Sequence, residues 1–136
     1  MADSVLVVTS GLSLITTALV GLGAGAPKFI QWGLGTTGPL AADTDLETKG
    51  SCNEDRVSDL CEVATDVTTD NLLRCHGLLT RDGVDVAITE VATFNITDAG
   101  DPPTGGVMFL RATFDAINLV AGNSIDFTID TKFVPV

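Results

Sequence analysis

The sequence predicts a mainly β fold, an antiparallel β-sandwich or barrel of jelly-roll type with one short N-terminal helix. Three observations carry this reading. Apolar and polar residues alternate from Ile125 to Phe133, the same period of two returns in several earlier segments, and clusters of Gly, Pro, Asp and Asn divide those segments. Alternation with period two marks a strand with one buried face, and short strands regularly broken by turns mark sandwiches and barrels. A length of 136 residues suits one core. Residues 1–136 are therefore expected to form a single β-rich domain, with a helical or apolar N-terminal segment over about 5–25 and a long loop over about 35–55.

Leu12, Ile15, Leu19 and Leu22 recur at helical spacing and share one stripe. Thr9 or Ser10 can cap this helix and Gly21 or Gly23 can end it. Its β-branched residues (Ile15, Thr16, Thr17, Val20) weaken intrinsic helicity, so packing must hold it in place. Lys28 to Leu34 then reads as a strand with Ile30, Trp32 and Leu34 on one face. Gly35 to Gly50, with Pro39 and the acidic Asp43, Asp45 and Glu47, has the composition of a loop. A loop of that length in a compact domain often serves function or interaction.

Cys61, Val63, Thr65 and Val67 alternate with polar or small residues, and Leu73, Cys75, Gly77 and Leu79 repeat the pattern beyond Asp70-Asn71, which predicts a hairpin. Arg81-Asp82-Gly83 supplies a tight turn, since Asp-Gly tolerates positive φ. Val84 to Phe94 begins the next strand. Asp98 to Gly106 contains two Pro and three Gly and is expected to be an exposed loop. Met108, Leu110, Ala112 and Phe114 resume the alternation, and Ala121 to Ser124 turns into the last strand. There Ile125, Phe127, Ile129, Thr131 and Phe133 face the core, opposite Asp126, Thr128, Asp130 and Lys132.

The net charge of −11 opposes the polyanionic backbone of nucleic acid, so no direct nucleic-acid partner is expected. Ser4 to Pro27 is uncharged, yet its Ser, Thr, Gly and Ala content and its lack of aromatic and basic flanks argue against a membrane span. Asp3, with no Lys or Arg before the apolar run, argues against a signal peptide. Folding in a cytosol is the expectation. There the odd count of cysteines (Cys52, Cys61, Cys75) suggests free thiols, with Cys61 and Cys75 as small buried hydrophobes.

Catalytic chemistry finds little support in the residue pattern. His76, the only histidine, sits next to Cys75 on a strand, where the two side chains diverge and the imidazole faces solvent. Cys52, Cys61, Cys75 and His76 lack the paired spacing of a zinc knuckle. Asp43, Asp45 and Glu47 resemble the start of a calcium loop but miss its sixth-position Gly and its distant Glu. Gly33 to Gly38 has the glycines of a phosphate cradle without the Lys or the helix that follows one. Asn95-Ile96-Thr97 is a glycosylation sequon that has meaning only on secretion. No catalytic residue, metal site or cofactor is expected, and the protein is read as a structural subunit rather than an enzyme. A hydrolase or glycan-binding module is disfavoured because no pair of carboxylates beside an aromatic platform is visible.

Trp32-Gly33-Leu34-Gly35-Thr36-Thr37 and Pro39-Leu40-Ala41-Ala42-Asp43-Thr44-Asp45-Leu46 resemble segments of small virion proteins of tailed bacteriophages. So do Ile88-Thr89-Glu90-Val91, Leu110-Arg111-Ala112-Thr113-Phe114 and Ala121-Gly122-Asn123-Ser124-Ile125, the last being the turn into the final strand. The resemblance implies a head decoration, or cement, protein on the capsid surface. It would be made in the host cytoplasm, bind the major capsid protein, and associate with itself as a homotrimer. The alternative within the resemblance is a tail, neck, baseplate or fibre-attachment component. Expected partner contacts are Leu12, Ile15 and Leu19 on the helix and Asp43, Asp45 and Glu47 in the acidic loop.

Overall fold

The computed structural model describes residues 2–21, 25, 27–49, 59–66, 69–81, 83–95 and 104–133, with 2–3, 59–66 and 69–72 described by their backbone alone. Leu22, Cys52, Asp82 and most of the Asp98–Gly106 segment lie outside these. Among the described residues the order is β1 (Ala2–Val7), α1 (Thr9–Leu19), β2 (Phe29–Gly33), β3 (Asp59–Asp66), β4 (Thr69–Thr80), β5 (Val86–Phe94), β6 (Met108–Leu119) and β7 (Ser124–Lys132). A four-stranded sheet, β1-β6-β5-β2, packs against a three-stranded sheet, β3-β4-β7, and every pairing is antiparallel. The fold is thus the sandwich of the two expected architectures and not a closed barrel.

The period of two explains which side chains meet. Across the larger sheet the register aligns Val7, Leu110, Thr93 and Ile30 in one row and Val5, Ala112, Val91 and Trp32 in the next. Cross-strand neighbours share a face, and these rows look toward the smaller sheet. Ile30, Trp32, Ile88, Val91 and Leu110 form the main core with Cys75 and Leu79, while Ile125, Phe127 and Ile129 close it from β7. Phe114 and Phe127 span the gap with ring centroids 6.1 Å apart at 47°. The predicted alternation of β7 holds from Ile125 to Lys132, but Phe133 is 47% exposed. β3 and β4 form the predicted hairpin. The predicted turn at 81–83 does not join paired strands, because β4 and β5 lie in different sheets.

The N-terminal segment departs from expectation in three ways. It opens with a strand, β1, paired to β6 through Val7↔Leu110. α1 then starts at Thr9 with Val8 as N-cap and no side-chain cap. The Thr9 N–H, an orphan donor of the first turn, is taken up by Ala41 O (2.8 Å), and the Ser10 hydroxyl donates to Met108 O (2.8 Å), so the start of the helix is tied across the fold. Finally, the buried face is Gly11 and Leu14, whereas Leu12 and Leu19 point outward. Gly11 selects that face: a Cβ there would overlap the carbonyl oxygen of Phe109, so only glycine lets the helix lie against β6. As expected, a glycine stops the helix: Gly21, just past the Val20 C-cap, has φ +72°. Among the described residues no helix is long and apolar enough to cross a membrane.

The cysteine reading is also corrected. Cys75 is buried as predicted but is disulfide-bonded, not a free thiol. In the β3–β4 ladder it stands directly opposite Cys61.

Candidate functional site

Alternation sends a second set of side chains to the back of the larger sheet, away from β3-β4-β7. The register there aligns Leu6, Arg111, Ala92 and Gln31, then Ser4, Thr113, Glu90 and Gly33. The loop over residues 34–49 covers this face. Leu46 inserts into a second small core with Val8, Ala92, Phe94 and Met108. Beside that core lies a buried ion cluster.

Glu90 is fully buried and acts as the centre of the cluster. Its Oε1 accepts from Gly35 N–H and Thr48 N–H, both at 2.9 Å, and its Oε2 from Glu47 N–H at 3.2 Å and Arg111 Nε at 2.9 Å. One carboxylate therefore holds both ends of the loop to the sheet. Arg111 completes the arrangement: Nη1 donates to Asp43 Oδ2 (2.8 Å) and Nη2 to Thr37 O (3.1 Å), with Glu47 Oε2 at 3.5 Å. Its side chain is only 3% exposed. A buried charge is tolerated when paired and hydrogen-bonded, and both of these are.

The electrostatics follow from the contacts. Burial works against the Arg111 charge, but hydrogen bonds to Asp43 and Glu90 outweigh it and hold the guanidinium above its ordinary pKa. Glu47 is held below its usual carboxylate value, chiefly by the Thr37 hydroxyl (2.5 Å) and then by the Thr37 N–H (2.9 Å), with Arg111 adding attraction. Glycines make room for the cluster. A Cβ at Gly33 would collide with Glu90 and with Thr48 O, and one at Gly35 would collide with Glu47 and Glu90.

The structure thus brings Asp43 and Glu47 together on Arg111, while Asp45 pairs separately with Lys49 at 2.6 Å. All three predicted contact carboxylates already have partners inside the chain. What the loop offers outward is its tip, where Leu40 is 66% exposed. Of the predicted helix contacts, Leu19 is 83% and Leu12 54% exposed, but Ile15 packs against the main core. Sequence reasoning did not select Glu90 and Arg111 as a pair. The available signal was a charge set among apolar neighbours in each of two adjacent strands, Glu90 as the one charge of β5 and Arg111 within the Met108–Phe114 run of β6.

The outer face of the smaller sheet carries a second set of pairs. Arg74 clamps Asp130 through Nε and Nη2, each at 2.8 Å, and lowers the pKa of that carboxyl. His76 faces solvent as predicted, with Nε2 2.5 Å from Asp126. The adjacent Cys75 sulfur is committed to its disulfide, so it offers His76 no thiolate to activate. Among the described residues no three His, Cys, Asp or Glu side chains are grouped to hold a metal ion. Asn95 of the sequon is buried, and its Oδ1 accepts from Val107 N–H at 2.6 Å.

No protein-family model, curated protein or solved structure matches this chain. Gly35 and Thr37, Asp43 and Glu47, Glu90, and Arg111 all meet in the one cluster.

Proposed function

We propose that this protein is a structural subunit of a tailed-phage virion, a decoration protein that binds the outer head shell and stiffens it against internal pressure. One observation carries the reading: Arg111 and Glu90 fix the 34–49 loop rigidly on the sandwich, so that its exposed tip is shaped before any partner arrives. A loop already ordered loses little conformational entropy on docking, which favours tight attachment through a small area. Leu40 at the tip and the outward Leu12 and Leu19 of α1 supply apolar contact area. The net charge of −11 keeps a crowded surface protein from adhering to nucleic acid. Trimerisation around local three-fold axes would multiply weak contacts through avidity.

The test is rebinding of purified protein to phage heads stripped of small surface subunits, followed by a heat challenge and cryo-EM. Hundreds of copies on the head surface and greater heat resistance are expected. Leu40→Asp should weaken rebinding without moving the melting temperature of the free protein. Six or twelve copies at the portal or tail would instead establish a tail or neck component.

A further inference from the structure

We infer that two copies of this chain associate through α1, with Leu19 of each copy seated in the apolar cleft beside the other copy's helix. Leu12 and Leu19 are seven residues apart and so lie on one line of the helix, with Thr16 between them, and all three are exposed. Next to that line an open cleft of about 270 Å³ is lined by Leu14, Ile15, Ala18, Leu73, Phe109 and Phe133, with Leu19 on its rim. A protruding apolar side chain and an apolar hollow thus sit side by side on one surface. Such a patch complements itself across a two-fold axis, where residue i of one copy meets j of the other and j meets i. Seating each Leu19 in the opposite hollow removes both from water, which favours the pair.

Two further observations make the occupant a second copy. The first is charge. Each copy carries a net charge of −11, so two copies repel over most of their surfaces. Ser4 to Pro27, which includes all of α1, holds no charged residue, so here two acidic chains can touch without setting carboxylate against carboxylate. A charged partner would find no counter-charge on this helix. The second is that the threonine hydroxyls are already used: Thr16 Oγ1 donates to Leu12 O (3.0 Å) and Thr17 Oγ1 to Ser13 O (2.9 Å), one turn back in each case. These two hydroxyls can be covered by an apolar surface without losing a hydrogen-bond partner. α1 has 11 residues and is about 16 Å long at roughly 1.5 Å per residue, so the contact is small and the association is of the weak, transient class. The inference narrows the shell contact proposed above to the Leu40 loop tip and otherwise stands apart from that role.

The test is sedimentation equilibrium of the whole chain from about 10 μM to about 1 mM, the range in which a weak pair forms and dissociates. A monomer–dimer equilibrium is expected. It should tighten as salt is added, because screening relieves the repulsion between the two acidic chains and no ion pair is broken. In a mixture of isotope-labelled and unlabelled chains, filtered NOEs should connect the Leu19 methyls of one copy to the Phe133 ring of the other. Leu19→Asp, at an exposed position, should weaken association at least tenfold in a chain that melts at the parent temperature. Val84→Asp adds the same charge at an exposed apolar residue beyond the opposite end of β5, and should leave association unchanged. A monomer at every concentration, an association that salt weakens, an oligomer that Leu19→Asp leaves intact, or equal losses in the two variants would overturn the inference.

Discussion

Replacing Arg111 with Met keeps most of the buried volume and removes the one cation in the cluster beneath the 34–49 loop. Glu90 is then a fully buried carboxylate with Asp43 and Glu47 nearby and no counter-charge. Breaking a buried pair by removing one partner costs about 3–5 kcal/mol. Glu90 keeps its three backbone N–H donors from Gly35, Glu47 and Thr48, which places the expected loss near the lower end of that range. Unfolding entropy near 2.1 cal/mol/K per residue gives roughly 0.29 kcal/mol/K for 136 residues, so a loss of about 3 kcal/mol lowers the melting temperature by roughly 10 °C. Calorimetry at pH 7 measures this directly. The double variant Arg111→Met/Glu90→Gln removes the stranded charge yet keeps an acceptor for the loop amides, and it should melt higher than Arg111→Met alone. A drop of only a degree or two for Arg111→Met, or a double variant no better than the single, would refute the assignment of the cluster as the loop's anchor.

Two other outcomes are expected. Reducing the Cys75 disulfide should destabilise the fold by about 2–4 kcal/mol; thermal melts with and without reductant, after alkylation confirms thiol release, measure it, and identical melts would contradict a structural bond. Thr37→Val should raise the Glu47 pKa toward its ordinary value of 4.5, because the hydroxyl is the largest influence holding it down. A depressed carboxylate pKa contributes stability that is present above 4.5 and fades as pH falls through the folded-state value. Stability should therefore decline on acidification in the parent chain and decline less steeply in Thr37→Val. Carboxyl-resolved NMR titration with melts from pH 7 to 3 tests both, and an unmoved Glu47 pKa would count against the Thr37 contact.

The sandwich was most legible where one face of a strand is wet and the other dry. β7 shows this cleanly, whereas β2, read from Ile30 and Trp32, is buried on both faces, Gln31 included. Legibility failed where that asymmetry is missing. β1 lies, but for Asp3, in an uncharged stretch that runs on into α1, so no polar alternation marks it off. The buried face of α1 was misplaced because leucine spacing favoured Leu12, Ile15 and Leu19. Close approach of the helix to Phe109 is instead decided by an absent side chain at Gly11, which a hydrophobicity pattern cannot register. The loop over 34–49 looked like a free acidic arm for the same kind of reason: Asp43 and Glu47 are neutralised by an arginine more than sixty residues later in the chain. Pairing at that distance leaves no local spacing to read. Cys75 belongs with these cases, since an odd cysteine count argues for free thiols only until a ladder sets two of them opposite each other.

The glycines at 33 and 35 owe their identity to a carboxylate more than fifty residues away. A methyl group at either position would occupy space that Glu90 already fills, and Glu90 in turn holds the amide of Gly35. Selection would therefore act on the three positions as one heritable unit. In a diverging lineage a side chain at 33 or 35 becomes admissible only after Glu90 has shortened or left. Such a lineage would lose the fixed shape of the loop before it lost the sandwich, so surface recognition could change while the core stayed as it is.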